Sequence, residues 1–523
     1  MSRKLCGLKQ LLVGPLSLVL ACAVSACALS ATALAASPDA SELAARIDHH
    51  LALGWETAKI RPAEPADDAT FARRLYLDLL GRVPTVFEIR SFLRDKSSDK
   101  RRALAARLVN SGAHARHAGF SWRRDLVPQA DTPQFALLAS ELDDWFADRL
   151  RERMPFDAMA MRLLQGSHPA ADQTATIAFL AAAEFKPENL AANSSRAFLG
   201  INLDCAQCHN HPFSRWTQDQ FWETAAFFAR PQTAAEAPAM LTLTIPETSR
   251  VVRPRVLTGN EPDWTAELSD HTGREVFAKW VTSRENPYFA KNAVNRRWAH
   301  LFGMGLVEPL DDLSGANPAS HPELLDELAT AFAEHNYDLR YLTTALVLSK
   351  AYALSSRQEG QQPSDPRLFS RAAVRGLTGE QLYDSLRVAA GLPVERDDLD
   401  PQNAHRERKG FATQFRTERA ATAQRSILQS LSMMNGKLTA ELTSVEHTPT
   451  LAAMVRSPQS DSKEKVTTLF LAALSRLPSD REAAFFEKKI AEQRVVREHG
   501  RGEEAYADIF WALLNSSEFS TNH

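Results

Sequence analysis

Helical spacing of apolar residues, renewed in segment after segment, is the feature that most limits what this chain can become. Apolar side chains recur three and four positions apart over Ser41–Trp55, Phe71–Leu80, Lys100–Asn110, Phe135–Arg153, Thr174–Glu184, Ser194–His209 and Gln218–Phe228. That is the period of a helix with one buried face. The same spacing returns over Gly273–Val281, Ala290–Phe302, Pro322–Glu334, Leu339–Leu348, Gly379–Ala390, Gln424–Leu442, Lys463–Leu474 and Arg481–Gln493. Between the two series the period drops to two. Leu241-Thr-Leu-Thr-Ile245 alternates and Val251–Leu257 is rich in valine, so a small strand or hairpin is expected there. The pattern predicts a mainly α protein of two packed helical domains, 37–230 and 269–523, with a small β element in a linker at 231–268. Polar stretches at Gln358–Pro366 and Pro393–Gly410 read as exposed loops.

One stop signal occurs twice. Leu80 is followed by Gly81-Arg82-Val83-Pro84, and Thr85 with Glu88 three residues on encodes a capped restart. Leu469-Phe-Leu-Ala-Ala-Leu-Ser-Arg-Leu-Pro-Ser479, followed by Glu482 and Phe486, repeats the grammar of Leu75–Thr85 with Glu88 and Phe92. Two copies fall short of a solenoid, so two helix–turn–helix corners are expected.

The N-terminus is set apart by its chemistry. Arg3, Lys4 and Lys9 precede an almost wholly apolar run, Leu11–Leu20, and no acid appears before Asp39. This is a secretory leader, 1–35, to be excluded from the fold. Two cleavage readings stand. Ala33-Leu34-Ala35 suits an ordinary signal peptidase, while Val24-Ser25-Ala26-Cys27 resembles a lipobox and would place a lipid on Cys27. The expected location is therefore exported, periplasmic or cell-envelope, with membrane attachment only through that lipid. No later apolar stretch is long enough to span a bilayer. Losing the leader's three positive charges takes the net charge from −3 to −6. With acids and bases interspersed, nucleic acid is not an expected partner.

Of five cysteines, Cys6, Cys22 and Cys27 lie in the leader region. The remaining two form Cys205-Ala206-Gln207-Cys208-His209, the spacing of a c-type haem attachment site. On an α-helix these three side chains would share an arc of ~100°, with His209 as iron ligand. Pro212 disfavours α geometry at His211, which puts the motif on the last turn of the Ser194–His209 helix. Phe213, Trp216 and Phe221 would wall an apolar pocket. Three readings remain open: covalent haem c, a zinc or other transition-metal site in which His211 adds a fourth ligand, and a short disulfide. Four zinc ligands within seven residues converge poorly. A sixth haem ligand would come from His211, His300 or His321. For His300 a packed core role, and for His321 a capping box in Ser320-His-Pro-Glu323, are the structural alternatives. Met154-Pro155 lies upstream and reads as a turn with a core methionine.

Asp311-Asp312 reads as a capping or turn element before an ion site, with Asn295-Arg296-Arg297 as its expected partners. There is no Gly-rich phosphate loop, no G-x-S-x-G and no H-E-x-x-H, which counts against a standard hydrolase or nucleotide enzyme. Two functions of different class follow. One is an exported haem protein in redox or electron transfer, with a redox partner. The other is an exported helical scaffold or interaction protein with a non-haem metal or disulfide centre. An enzyme using the acid-rich second half is a third.

Longer motifs point to a family. Phe71-Ala-Arg-Arg-Leu-Tyr-Leu-Asp-Leu-Leu-Gly-Arg-Val-Pro84, Phe198-Leu-Gly-Ile-Asn-Leu-Asp-Cys-Ala-Gln-Cys-His-Asn-His-Pro-Phe213 and Trp216-Thr-Gln218 resemble the planctomycete cytochrome-like domain. Asn286-Pro-Tyr-Phe-Ala290, Asn295-Arg-Arg-Trp-Ala-His-Leu-Phe-Gly303, Gly305-Leu-Val-Glu-Pro309, Asp311-Asp312, Ser320-His-Pro-Glu-Leu-Leu325 and Leu513-Leu-Asn-Ser-Ser-Glu-Phe519 resemble its usual companion, the planctomycete-specific domain. The resemblance implies an exported protein of unknown biochemical role, with a cytochrome label resting on the same C-x-x-C-H. It also implies a shared process with an exported sulfatase- or phosphatase-like protein.

Overall fold

Many helices start where an oxygen-bearing side chain takes up amides that the first turn leaves free. Asp39 accepts from the amides of Ser41 and Glu42 ahead of Ala40–Thr57, and Asp67 accepts from Thr70 ahead of Asp68–Leu80. Reciprocal capping boxes open Val86–Arg94 (Thr85 with Glu88), Gly379–Ala389 (Thr378 with Gln381) and Ile427–Asn435 (Ser426 with Gln429). Each cap is worth about 1 kcal/mol. The computed structural model describes residues 39–165, 170–234, 237–262, 272–357, 365–394, 401–415, 426–457, 459–496 and 503–523. The leader, with its two cleavage readings, lies outside the described residues.

The duplicated stop signal folds the same way twice. Asp68–Leu80 ends on Gly81 at φ 71°, and Ser462–Leu474 ends on Ser475 at φ 60°. In each, the arginine after the stop reaches forward to the glutamate of the restart: Arg82 to Glu88 at 2.9 Å and Arg476 to Glu482 at 2.9 Å. The ion pair fixes the angle at which the next helix leaves.

Asp68–Leu80 is the axle of the fold, with every residue from Phe71 to Leu79 buried. Phe71, Leu75 and Leu79 enter a large core that takes in residues from Leu43 to Phe369, with Leu471. Leu77 enters a second core built with Leu382, Leu386, Phe470, Phe510 and Phe519. Neither core divides at 231–268. A helix buried all round must satisfy its charges internally. Arg73 donates to the carbonyls of Ala473 (2.9 Å) and Phe519 (2.7 Å). Asp78, 1% exposed, accepts from Arg375, from Tyr352 Oη at 2.8 Å and from Asn522 Nδ2 at 2.8 Å.

The described chain is mainly α, with three two-stranded antiparallel ladders among the described residues. Leu243–Thr244 pairs with Val251–Val252, inside the stretch where period-two spacing predicts strand. Gln232–Ala234 with Ala237–Met240, and Arg375–Gly376 with Thr521–Asn522, are too short to leave a periodic signal. The expected loop over Pro393–Gly410 is corrected in part: Pro401–Gln414 is a helix, while 395–400 lie outside the described residues. Its polar sequence hides a tether, because Arg408 forks onto the buried Asp384 (2.7 Å). The expected Gln424–Leu442 helix is two, Ile427–Asn435 and Lys437–Leu442, because Gly436 is extended. Gln424 and Arg425, like 358–364 of the other expected loop, lie outside the described residues. Among the described residues no helix is long and apolar enough to cross a membrane.

Candidate functional site

The helix expected to carry the motif ends well before it. Pro187–Ser194 runs on as a single wider turn, Ser195–Leu199, and stops at Gly200 with φ 63°. The amides of Gly200 and Ile201 both reach back to the Ser195 carbonyl. A left-handed residue here suits glycine, and space enforces it: a Cβ at Gly200 would stand 2.8 Å from Asn292 Oδ1 and 2.8 Å from Leu313 Cδ1. The chain is then captured by the loop after Pro309. Ile201 bridges Asp312, the Asn202 amide donates to the Asp311 carbonyl (2.9 Å), and the Leu313 amide donates to the Gly200 carbonyl (2.9 Å). These contacts outcompete further helix, so the expected Ser194–His209 helix does not form.

A tighter turn replaces it. Asn202 Oδ1 accepts from the Asp204 amide at 3.1 Å and starts a 3₁₀ turn, Asp204–Gln207. In that geometry residues three apart eclipse, which sets Cys205 and Cys208 on one side. Both are free thiols exposed to solvent, and His209 is exposed beside them. Leu203 and Ala206 point the other way, fully buried. The turn is held from beneath by the helix Gln218–Ala225. Gln218 Nε2 donates to the Cys208 carbonyl (2.9 Å), and Trp222 Nε1 donates to the Gln207 carbonyl (3.0 Å). The Gln218 amide donates to Asn210 Oδ1 (3.0 Å), and the His211 amide donates to the Trp216 carbonyl (2.8 Å). Sequence reasoning missed Asn202, Gln218 and Trp222. The signals available were the Asn-x-Asp spacing of an Asx turn and the capping box Thr217–Gln220.

Of the three aromatics expected to wall a pocket, Trp216 and Phe221 are core residues at 1% and 0% exposure, and Phe213 stands 86% exposed. Arg215 lies over the Trp216 ring and donates to Tyr288 Oη, closing that core from solvent.

The more distant candidates sit elsewhere. His300 has Nδ1 3.2 Å from Ser121 Oγ and its ring 5.9 Å from that of His117, and burial holds its pKa well below the usual histidine range. His321, buried, packs on Phe369 and has Nδ1 3.2 Å from Ser320 Oγ. The capping box expected at Ser320–Glu323 is absent: Pro322–Glu334 begins one residue later, with His321 as its N-cap and no side-chain cap bond. Asp311 faces Arg196 Nε at 3.5 Å, and Asp312 accepts from Ser314 Oγ at 2.6 Å. Asn295, Arg296 and Arg297, expected to pair with these acids, instead bond to Val307, to Asn292 and the Arg196 carbonyl, and to Thr343. Of the six expected site residues, Cys205, Cys208, His209 and His211 share one loop, whereas His300 and His321 are packed against other elements. Among the described residues no group of three or more His, Cys, Asp or Glu side chains is arranged to hold a metal ion.

Residues 46–233 match the family model PSCyt2, described as a protein of unknown function (DUF1549). Residues 273–427 match PSD1, likewise a protein of unknown function (DUF1553). No curated protein and no solved structure matches the chain. The Cys205–His211 loop lies inside the first match, and the loop that captures it, around Asp311, lies inside the second. The chain thus carries a PSCyt2 match followed by a PSD1 match, the domain pair that its sequence resembles.

Proposed function

We propose that the chain is an exported c-type haem-binding protein with a redox or electron-transfer role. The observation that carries the reading is the pair of free, exposed thiols on one side of a 3₁₀ turn, followed at once by an exposed imidazole. These residues fit the group. Cys205 and Cys208 would hold it as thioethers, and His209 would ligate its iron. The haem would supply a centre that takes up and returns one electron. Gln218 and Trp222 keep the turn in register, and Phe213 offers the apolar surface that the loop otherwise lacks. The leader supports export, with Cys27 as the one route to a lipid anchor. The partners in this reading are a redox protein and, through the family resemblance, an exported sulfatase- or phosphatase-like protein.

The same exposure favours one other reading. Without a surrounding apolar wall, the two thiols and His209 are the residue types of a zinc or other transition-metal centre, or of a bridge, on a helical scaffold, although as placed here the three side chains are not arranged around a metal ion. Expression beside haem-maturation machinery, followed by acid–acetone extraction, separates the two. A Soret band that stays with the protein is the expected result. Cys205→Ser or Cys208→Ser should then weaken or abolish attachment, and His209→Ala should alter the iron spectrum while leaving attachment possible. Colourless, metal-free protein after haem maturation and metal supplementation would overturn the cofactor reading.

A further inference from the structure

A neutral imidazole carries one ring proton, and the hydrogen bond at one nitrogen decides what the other can do. His209 Nδ1 lies 2.8 Å from the Asn210 carbonyl oxygen. A carbonyl only accepts, so Nδ1 carries the proton and Nε2 presents a bare lone pair. Two residues on, the arrangement is inverted. The Phe213 amide donates to His211 Nδ1 at 3.2 Å. An amide N–H only donates, so Nδ1 holds the lone pair and the proton sits on Nε2. The backbone on both sides of His211 is constrained, by the bond from its amide to the Trp216 carbonyl and by Pro212. For His211 to ligate through Nε2, the proton must move to Nδ1 and the bond from Phe213 must break.

We propose that His211 serves this site as a hydrogen-bond donor through Nε2 and not as a metal ligand, while the Asn210 carbonyl holds His209 in the tautomer that ligates. The two imidazoles divide the work: one offers a lone pair, its neighbour an N–H. A ligand that uses both carries a metal and an anionic acceptor on one frame. Haem, with iron and propionate carboxylates, is that class, and for this acceptor the inference rests on the haem reading above. The tautomers themselves rest only on the two hydrogen bonds. Asn210 acts through His209 and is a positioning residue in the sense of an outer-shell partner that orients a ligand.

The test has two arms. In the first, long-range proton–nitrogen correlation spectra are recorded on the haem-free full chain with labelled histidine, at about pH 8, above the ordinary histidine range. His209→Gln and His211→Gln variants assign the signals. The expected pattern is Nδ1–H for His209 and Nε2–H for His211. An Nδ1–H tautomer at His211 would overturn the proposal. In the second arm, the haem-loaded chain is compared with His211→Ala and His211→Gln. His211→Ala should leave the absorption bands set by the iron ligands in place and lower the midpoint potential, because an unbonded carboxylate favours the ferric state. His211→Gln, which keeps an N–H donor, should restore the potential. A change of spin state in His211→Ala that free imidazole reverses would identify His211 as a ligand and overturn the proposal. Failure of the wild type to take up covalent haem would overturn the functional reading and the propionate acceptor with it. The haem-free spectra would still decide the tautomers.

Discussion

Asp78→Asn removes one charge from the point where residues far apart in the chain meet. Asp78 holds Arg375 through two contacts of 2.9 Å, together with Tyr352 and with Asn522, 444 positions away in sequence. Removing one member of a buried ion pair costs about 3–5 kcal/mol, because the other charge is left without a partner. An asparagine keeps the shape and can still accept from Asn522 through its one oxygen, while its amide nitrogen, in the place of Oδ2, can donate to the Tyr352 hydroxyl oxygen, which places the expected cost near the lower end, about 3 kcal/mol. Unfolding entropy of about 2.1 cal/mol/K per residue amounts to roughly 1 kcal/mol/K over 523 residues. The midpoint should therefore fall by about 3 °C. Differential scanning calorimetry reads this directly. Adding Arg375→Met should recover most of the loss, since the stranded charge goes with it. A midpoint within about 1 °C of wild type, or two substitutions whose effects simply add, would refute the reasoning.

Three other outcomes follow from named contacts. Gly200→Ala should destabilise the chain by about 1–2 kcal/mol for the left-handed backbone, with a further about 1–3 kcal/mol for crowding. It should also lower covalent haem yield by displacing the Cys205 turn, so unchanged melting and yield would contradict the role given to Gly200. His114, 5% exposed with Nδ1 2.9 Å from the Leu79 carbonyl, has its pKa lowered to about 3, first by burial and then by Arg297. Its unfolded value is about 6.5, so its contribution is complete above that pH and is lost as pH falls towards 3, by up to about 1.4 kcal/mol per pH unit. His114→Gln should flatten that part of the stability–pH curve measured by urea titration, and an unchanged slope would assign the acid sensitivity to other groups. N-terminal mass spectrometry of protein from its native host should find residues up to Ala26 or Ala35 removed, and an intact Met1 or Ser2 would refute export.

Helix existence was legible wherever burial on one face imposed a period, as at Phe71–Leu80 and Pro322–Glu334. The duplicated stop was legible down to its capping residues, because cap chemistry is local. What stayed hidden depends on partners distant in sequence. Nothing near Gly200 announces that Asn292 and Leu313 will crowd it, or that Asp311 and Asp312 will take the next backbone groups away from a helix. Arg408 looks like loop polarity until Asp384 is placed beneath it. Cys205, Cys208 and His209 were legible as a group. Their surface setting was not, since helical spacing predicted an α-helix and three aromatics predicted a pocket.

The Cys205–His209 turn bears weight through its backbone and offers chemistry through its side chains. Gln218 and Trp222 grip carbonyl oxygens that every amino acid possesses, while the thiols and the imidazole face solvent. Substitution at these three positions therefore changes reactivity with little effect on architecture. A lineage could discard the cofactor and keep the protein, or exchange one reactive group for another, without passing through an unfolded ancestor. For the experimenter, a variant that has lost its chemistry is still a folded control, and one that has lost its fold was changed somewhere else.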